Sequence, residues 1–416
     1  MAADMSSGLP TTIKRGTPAF RRANIAFFLS AFAIFASLYS VQPLLPIFAE
    51  EFGLDAGASS LALSATTATL AIALLLASWV SDRLGRRTLM VWAIVLTAGL
   101  GLLLPLAPNW TTLLAIRTLI GLTLSGLPAV AMVYLAEEMD PDALGFSMGL
   151  YIGGTAIGGM AGRLVSGILA DWLGWRPALA ILGAAIAVAA LVVIVLLPRP
   201  HNSARNRLSA GDLVRLIVLQ FRDKGLPWLF LSAFLLMGSF VTLYNYAGFR
   251  LALPPFSLSH TAISAIFVVY LLGSFSSAWA GGLAQRLGRR KVFWAMVLTM
   301  GIGVFLTIVP STPVIIAGLA IATMGYFAAH GIASAWVARR ALVGRAQASA
   351  IYLFAYYLGS SVLGTLGGYA WVAWGWTGVM LVSGGAIVAA MLVAIRLMAL
   401  PPLPIAEKPA APPAGV

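Results

Sequence analysis

The sequence contains no cysteine, so it can form no disulfide and no thiolate metal site, and its redox compartment is unmarked. Charge is also scarce. Only 9% of the 416 residues are Asp, Glu, Lys or Arg, where a soluble domain carries about a quarter. That is too little to clothe a water-facing surface. Acidic residues number 13, and every one falls in a tail, a loop or the end of an apolar run. The mid-membrane carboxylate that serves many proton relays is therefore missing. Also missing are a P-loop, metal-ligand spacing and a nucleophile elbow, so nothing points to ATP drive, a metal, a cofactor or an enzyme. Channel-type selectivity-filter loops are not found either.

Hydrophobic residues make up 60% of the chain, and the mean hydropathy is +0.95. They come in long runs. A bilayer core takes about 20 apolar residues per helix, and twelve such spans are expected: 24–46, 59–80, 88–107, 110–133, 145–169, 177–197, 227–249, 260–282, 291–309, 313–337, 347–370 and 378–398. The 42 glycines suit close helix packing in lipid. The alternating ten-residue segments of a membrane barrel are not seen. Lys14, Arg15, Arg21 and Arg22 precede the first run, which is too long for a signal-peptide core and reads as a membrane helix.

The chain repeats itself. Ser78–Met90 reads SWVSDRLGRRTLM and Gly281–Phe293 reads GGLAQRLGRRKVF, with RLGRR identical in both, 203 positions apart. Each copy joins the second and third spans of its half. Tyr151 and Gly174-Trp175 are echoed by Tyr352 and Gly375-Trp376. The expected architecture is all-α: twelve transmembrane helices in two pseudo-symmetric six-helix bundles. The expected divisions are a tail 1–22, a first bundle 23–197, a basic linker 198–226 with an amphipathic helix near 208–221, a second bundle 227–400 and a disordered Pro/Ala-rich tail 401–416. Two bundles related by an axis along the membrane normal place a substrate site between them.

The net charge of +13 would suggest nucleic acid in a soluble protein, but here the cations occupy short loops. With the N-terminus inside, 22 of the 26 Lys and Arg residues lie on the inner side. The positive-inside rule then sets both termini in the cytoplasm and makes membrane lipid, not nucleic acid, the charge partner.

These features resemble the major facilitator superfamily, whose loop motif reads G-x-L-A-D-R-x-G-R-R. The first copy keeps Asp82, Arg83, Gly85, Arg86 and Arg87. The second keeps Gly281, Leu283, Arg286, Gly288, Arg289 and Arg290, with Gln285 in place of the Asp. Arg117 and Gly121 match the family's fourth-span Arg and Gly, with Ile120 in place of the motif's Gln. Gly154, Gly158 and Gly159 match the antiporter motif G-P-x-x-G-G, with Thr155 where the proline stands. Within the superfamily the chain is most similar to the bacterial sugar-efflux and drug-efflux branch, of the arabinose-efflux-permease type. That resemblance implies an inner-membrane secondary transporter working by alternating access. It also implies a conformational latch built from Asp82, Arg83, Gly85, Arg86 and Arg87 with Glu137 and Glu138. Asp82 would face a helix N-terminus and an Arg would pair with an acid, with Arg286, Gly288, Arg289 and Arg290 as the second copy. The other reading of these arginines is lipid-facing topology determinants.

Inside the spans, Arg117 is a cation that needs a wet cavity or a partner. It is expected to contact substrate or tune a proton site, the alternative being bonds to backbone carbonyls. Arg163, nearer its span's end, is expected to snorkel. His330 is the intramembrane side chain that titrates near neutrality, and Glu50 and Glu51 are further coupling candidates. Tyr39 and Gln42 share a helix face, as do Tyr326 and His330. With Tyr244, Asn245, Tyr246, Tyr352 and Tyr356 they form the expected substrate-contacting set. A tyrosine-rich cavity with few charges suits neutral or amphipathic solutes. The expected activity is proton-coupled efflux of drug-like or sugar-like small molecules by a monomer. Uptake or facilitated transport of a sugar or metabolite is the alternative. A non-transporting membrane sensor or scaffold is the rival from another class.

Overall fold

The computed structural model describes residues 12–200 and 209–400. The expected tail 401–416 lies outside the described residues.

The first span begins at Pro18, where Thr17 accepts a hydrogen bond from the Phe20 N–H and proline sits in the first turn. It is broken after Tyr39 by a 3₁₀ turn, Gln42–Leu44, and resumes as Leu45–Glu51. Asp55 caps the second span, Ala56–Leu84, by accepting from the Ala58 N–H at 2.6 Å. The third is Arg86–Leu103. The fourth comes in two pieces, Trp110–Leu124 and Pro128–Glu138, split beside Gly126 and Pro128. The fifth, Pro141–Leu173, runs four residues past the sequence-expected end at 169, and Trp175–Leu196 follows. An amphipathic helix, Ala210–Phe221, leads into the second half.

That half comprises Leu226–Ala252, His260–Leu287 with an internal 3₁₀ turn, Arg289–Leu306 and Thr312–Arg340. The eleventh and twelfth spans form one run, Arg345–Met398, broken at Trp374 and Gly375. Nine of the described helices are long and apolar enough to cross a membrane by length and composition. The split fourth span, the 18-residue ninth and the second leg of the last run complete twelve passes. Large side chains such as Leu76, Trp92, Leu191, Val195, Phe275 and Leu392 stay exposed on the outside of the bundle, as expected where lipid replaces water.

The repeat in sequence is a repeat in conformation. Gly85 and Gly288 end the second and eighth spans at φ 90 and 89, ψ 141 and 132, a region only glycine enters freely. After the turn, Arg87 donates to the carbonyls of Leu197 and Ile194 at the end of the sixth span. Arg290 does the same to Met398 at the end of the twelfth. Each thus satisfies helix C-terminal carbonyls that have no intrahelical donor.

Glycines bring the helices together. Gly154, Gly158 and Gly162 lie against the backbone of Phe28, Phe32 and Ala36 on the first span. A Cβ on Gly158 would stand 2.3 Å from the Phe32 carbonyl oxygen. Gly359 meets Phe234 in the same way in the second half. Small-residue rows of this kind allow backbones to approach where apolar burial gives no net drive.

The halves touch at one end of the bundle, the end carrying Glu51. Thr261 donates to Asp171, its hydroxyl at 2.6 Å. Gly167 abuts Ser264, Gly57 abuts Gly368, and Ser361 and Thr365 donate to Ser64. Toward the RLGRR end no hydrogen bond joins the halves among the described residues, and a Cβ on Gly145, Gly149, Gly153, Gly281 or Gly282 would meet nothing within 4 Å.

Candidate functional site

The breaks and close approaches converge on one buried cluster between the halves. Gln42, in the first span's 3₁₀ turn, donates from Nε2 to Asn245 Oδ1 on the seventh span at 2.8 Å. Its own oxygen accepts from Arg163 Nε at 2.5 Å. Arg163 also donates to the Gly159 carbonyl at 2.8 Å. Its guanidinium lies 3.7 Å from the Tyr39 ring centroid, 4.7 Å from that of Tyr270 and 5.4 Å from that of Phe267. A cation so placed is held by ring quadrupoles as well as by hydrogen bonds. Beyond it Tyr244 bonds Thr323 at 2.6 Å, and Phe240 stacks on Tyr326 at 3.9 Å. Tyr326 donates to Tyr356 at 2.7 Å, and His330 Nδ1 meets the Tyr352 hydroxyl at 3.0 Å with the rings of Tyr326 and Tyr356 nearby.

Of the expected set, Tyr39, Gln42, Tyr244, Asn245, Tyr326, His330, Tyr352 and Tyr356 are brought together here. Tyr246 is not. It is 0% exposed and donates to the Gly364 carbonyl on the eleventh span. Consecutive helical residues turn about 100° apart, so Tyr244, Asn245 and Tyr246 face three ways.

Arg117 corrects the sequence reading most. It is 0% exposed. Nε donates to the Ala62 carbonyl at 2.7 Å, and its Nη atoms to Ser37 at 3.1 Å and Leu38 at 2.8 Å. The first helix stops at Tyr39, leaving those last carbonyls without intrahelical donors. Gly121, one turn on, lets the fourth span press against Thr66 and Thr69 of the second, so the arginine reaches across to the first. Arg117 staples three helices, and its guanidinium is closed off in this structure.

Arg163 departs from the expectation that it snorkels. Because the fifth helix runs to Leu173, Arg163 sits ten residues, about 15 Å, short of its end. It is 2% exposed, too deep to snorkel. Its companions Tyr270, Phe240 and Phe267 were not singled out in the sequence. The signal was present in the one-turn spacing of Gly159 and Arg163, which makes room for a guanidinium.

The other coupling and latch candidates divide. Glu51 is held by Trp175 and Arg176 at the far end of the bundle, and Glu50 is exposed there. Neither borders the cluster. At the RLGRR end Arg86 pairs with Glu137 at 2.5 Å, and Arg83 stacks on Trp79. No helix N-terminus donates to Asp82 among the described residues, and its charged neighbour is Arg86. Glu138 is buried beside Tyr134, which donates to the Pro198 carbonyl. In the second half Gln285 replaces the Asp and Arg340 pairs with Asp223 of the linker. Arg289 lies near Arg339 and Arg290, and among the described residues neither it nor Arg286 has an ion pair with an acid. Gly154 and Gly158 pack the first and fifth spans, while Gly159 frames Arg163.

A groove of about 550 Å³ lies between the ninth and twelfth spans. Leu298, Phe305, Val388 and Leu392 line it without a polar side chain, and none of the cluster residues borders it.

Two six-helix halves around a polar, tyrosine-walled centre define a multi-pass membrane transporter acting on small molecules. The sequence profile described as Major Facilitator Superfamily matches residues 27–254 and again 235–415. The chain belongs to that superfamily. It is 46% identical over 93% of its length, and 91% of the relative's, to the "Inner membrane transport protein YnfM" of Escherichia coli strain K12. It is 42% identical over 93% of its length to the "Uncharacterized MFS-type transporter YybF" of Bacillus subtilis, covering 95% of that protein. A solved bacterial homologue of the human lysosomal transporter Spinster, titled inward-facing and unoccupied, shares the fold. Its TM-score is 0.70 at 16% identity, over 92% of this chain and 95% of that one.

Proposed function

We propose that the chain is a proton-coupled exporter of drug-like or sugar-like small molecules, working as a monomer by alternating access with both termini in the cytoplasm. The observation that carries this reading is the one-sided closure. The halves meet from the Gln42–Asn245 bond to the Asp171–Thr261 bond, and open space adjoins Gly145, Gly149, Gly153, Gly281 and Gly282 toward the other end. With the RLGRR turns on the cytoplasmic side, this is an inward-open state, and the Tyr39–Arg163–Tyr326–His330 cluster is the floor of its cavity. His330 is the proton carrier in this reading, since Arg117 is sequestered and Glu50 and Glu51 are remote. The first–fifth span glycine row supports the exporter direction through its likeness to the antiporter motif.

The test is proton movement in proteoliposomes under an imposed pH gradient, with solutes added one at a time. Solute-triggered proton flux that His330→Ala reduces supports the reading. Solute counterflow without proton movement would replace it with facilitated transport.

A further inference from the structure

We propose that the solute is a small monocarboxylate, bound through Arg163. The inference rests on the transport reading above and names the substrate class of that same site. Its basis is a surplus of donors. Arg163 carries five N–H donors; the Gln42 oxygen and the Gly159 carbonyl take one each, the Tyr39 hydroxyl bonds the same guanidinium, and no carboxylate of a described residue pairs with it. The Tyr270 hydroxyl, whose ring the guanidinium faces at 4.7 Å, is buried with no partner.

The amide chain fixes this polarity. Arg163 Nε turns the Gln42 oxygen toward itself, which points the Gln42 NH₂ at Asn245. The acceptors of the network are consumed within it, and donors are left over. The carboxylates that fall within the spans sit at their ends, Asp82, Glu137, Asp142 and Asp171 among them, and none of the described salt bridges involves Arg163. An enclosed cation with unused donors calls for a ligand that only accepts. A carboxylate does so in the two-pronged geometry that a guanidinium matches, and the rings of Tyr39 and Phe267 flank its apolar or hydroxylated body. A cationic solute would meet Arg163 unscreened, so dyes and other cations are disfavoured.

The asymmetry of the halves supports the same conclusion. The repeat offset of 201 positions that relates Tyr151 to Tyr352 carries Arg163 to Gly364. A Cβ on Gly364 would stand 3.4 Å from Asn245 Nδ2. The cation exists on one side of the pair only, which a structural need common to both halves would not produce.

The test uses the purified full chain and two matched pairs of probes, benzoate with benzamide and glucuronate with glucose. Binding is read by titration calorimetry, folding by melting temperature and flux in proteoliposomes. At least one carboxylate should bind about tenfold or more tightly than its neutral partner. Arg163→Gln should abolish that preference, Arg163→Lys should restore part of it, and Tyr270→Phe should weaken the carboxylate several-fold at unchanged melting temperature. If Arg163→Gln does not fold, Tyr270→Phe alone decides. Equal binding of acids and neutrals, no binding of either acid, or a preference untouched by Tyr270→Phe overturns the proposal. Carboxylate binding without flux would instead overturn the transport reading and leave the site standing. Flux of neutral solutes that Arg163→Gln leaves intact would sink the carboxylate class and leave transport standing.

Discussion

Gln42 and Asn245 stand 203 positions apart and hydrogen-bond to each other at 2.8 Å. That offset is the one that separates the two RLGRR turns. The bond therefore joins equivalent residues of the two halves, and it lies on the axis that relates them. Arg163 grips only the Gln42 side.

A double-mutant cycle on this pair has a defined outcome. Gln42→Ala also strips Arg163 Nε of its acceptor, so it costs more stability than Asn245→Ala. The coupling between the two changes is about 1 kcal/mol. Thermal or denaturant unfolding of the four proteins checks both statements, and equal single-mutant costs would contradict the chain of bonds.

Arg117→Ala removes three bonds to backbone carbonyls in a sealed site. The loss is on the order of 3 kcal/mol or more, and it falls on folding. The variant should show a depressed melting temperature and yield. A stable Arg117→Ala protein with selectively lost transport would return this arginine to the cavity.

Gly158→Ala places a methyl 2.3 Å from the Phe32 carbonyl oxygen. Pushing the first and fifth spans apart costs about 1–3 kcal/mol. Gly153→Ala, on the same helix and facing open space, is neutral or gains up to about 1 kcal/mol from helix propensity. Melting temperatures of the two variants in one detergent compare them directly.

Asp171→Cys with Thr261→Cys should cross-link at the closed end, because the native side chains already touch at 2.6 Å. The chain has no cysteine of its own, so any disulfide is the engineered one. Oxidation should stop flux and reduction restore it. Failure to cross-link would show that this end is open in the resting protein.

Asp223, in the linker before the seventh span, carries a pH dependence of definite sign. Burial opposes its ionisation, but Arg340 and the Gly225 and Leu226 N–H groups outweigh it and lower its pKa. The unfolded chain therefore takes up that proton at higher pH than the folded one, and the stability it contributes is present above the ordinary aspartate value and is lost as pH falls. Asp223→Asn should flatten that slope, and melting curves of the wild type and Asp223→Asn across acidic to neutral pH test the sign.

Composition alone decided the solvent, the span count and the two-half plan, because length, apolarity and an exact pentapeptide repeat are properties of a string. The twin turns at Gly85 and Gly288 were legible for the same reason: glycine at φ near 90 followed by arginine is a local requirement. The roles of the two buried arginines were not legible. Arg117 and Arg163 are each a lone cation in an apolar helix, and their difference lies in what faces them. One, on the fourth span, meets carbonyls freed by the break after Tyr39 on the first, brought adjacent through Gly121. The other meets an amide chain and tyrosines drawn from the first, seventh and eighth spans. Partner identity across helices depends on rotation and on where a helix ends to within a turn, and only tertiary packing sets those.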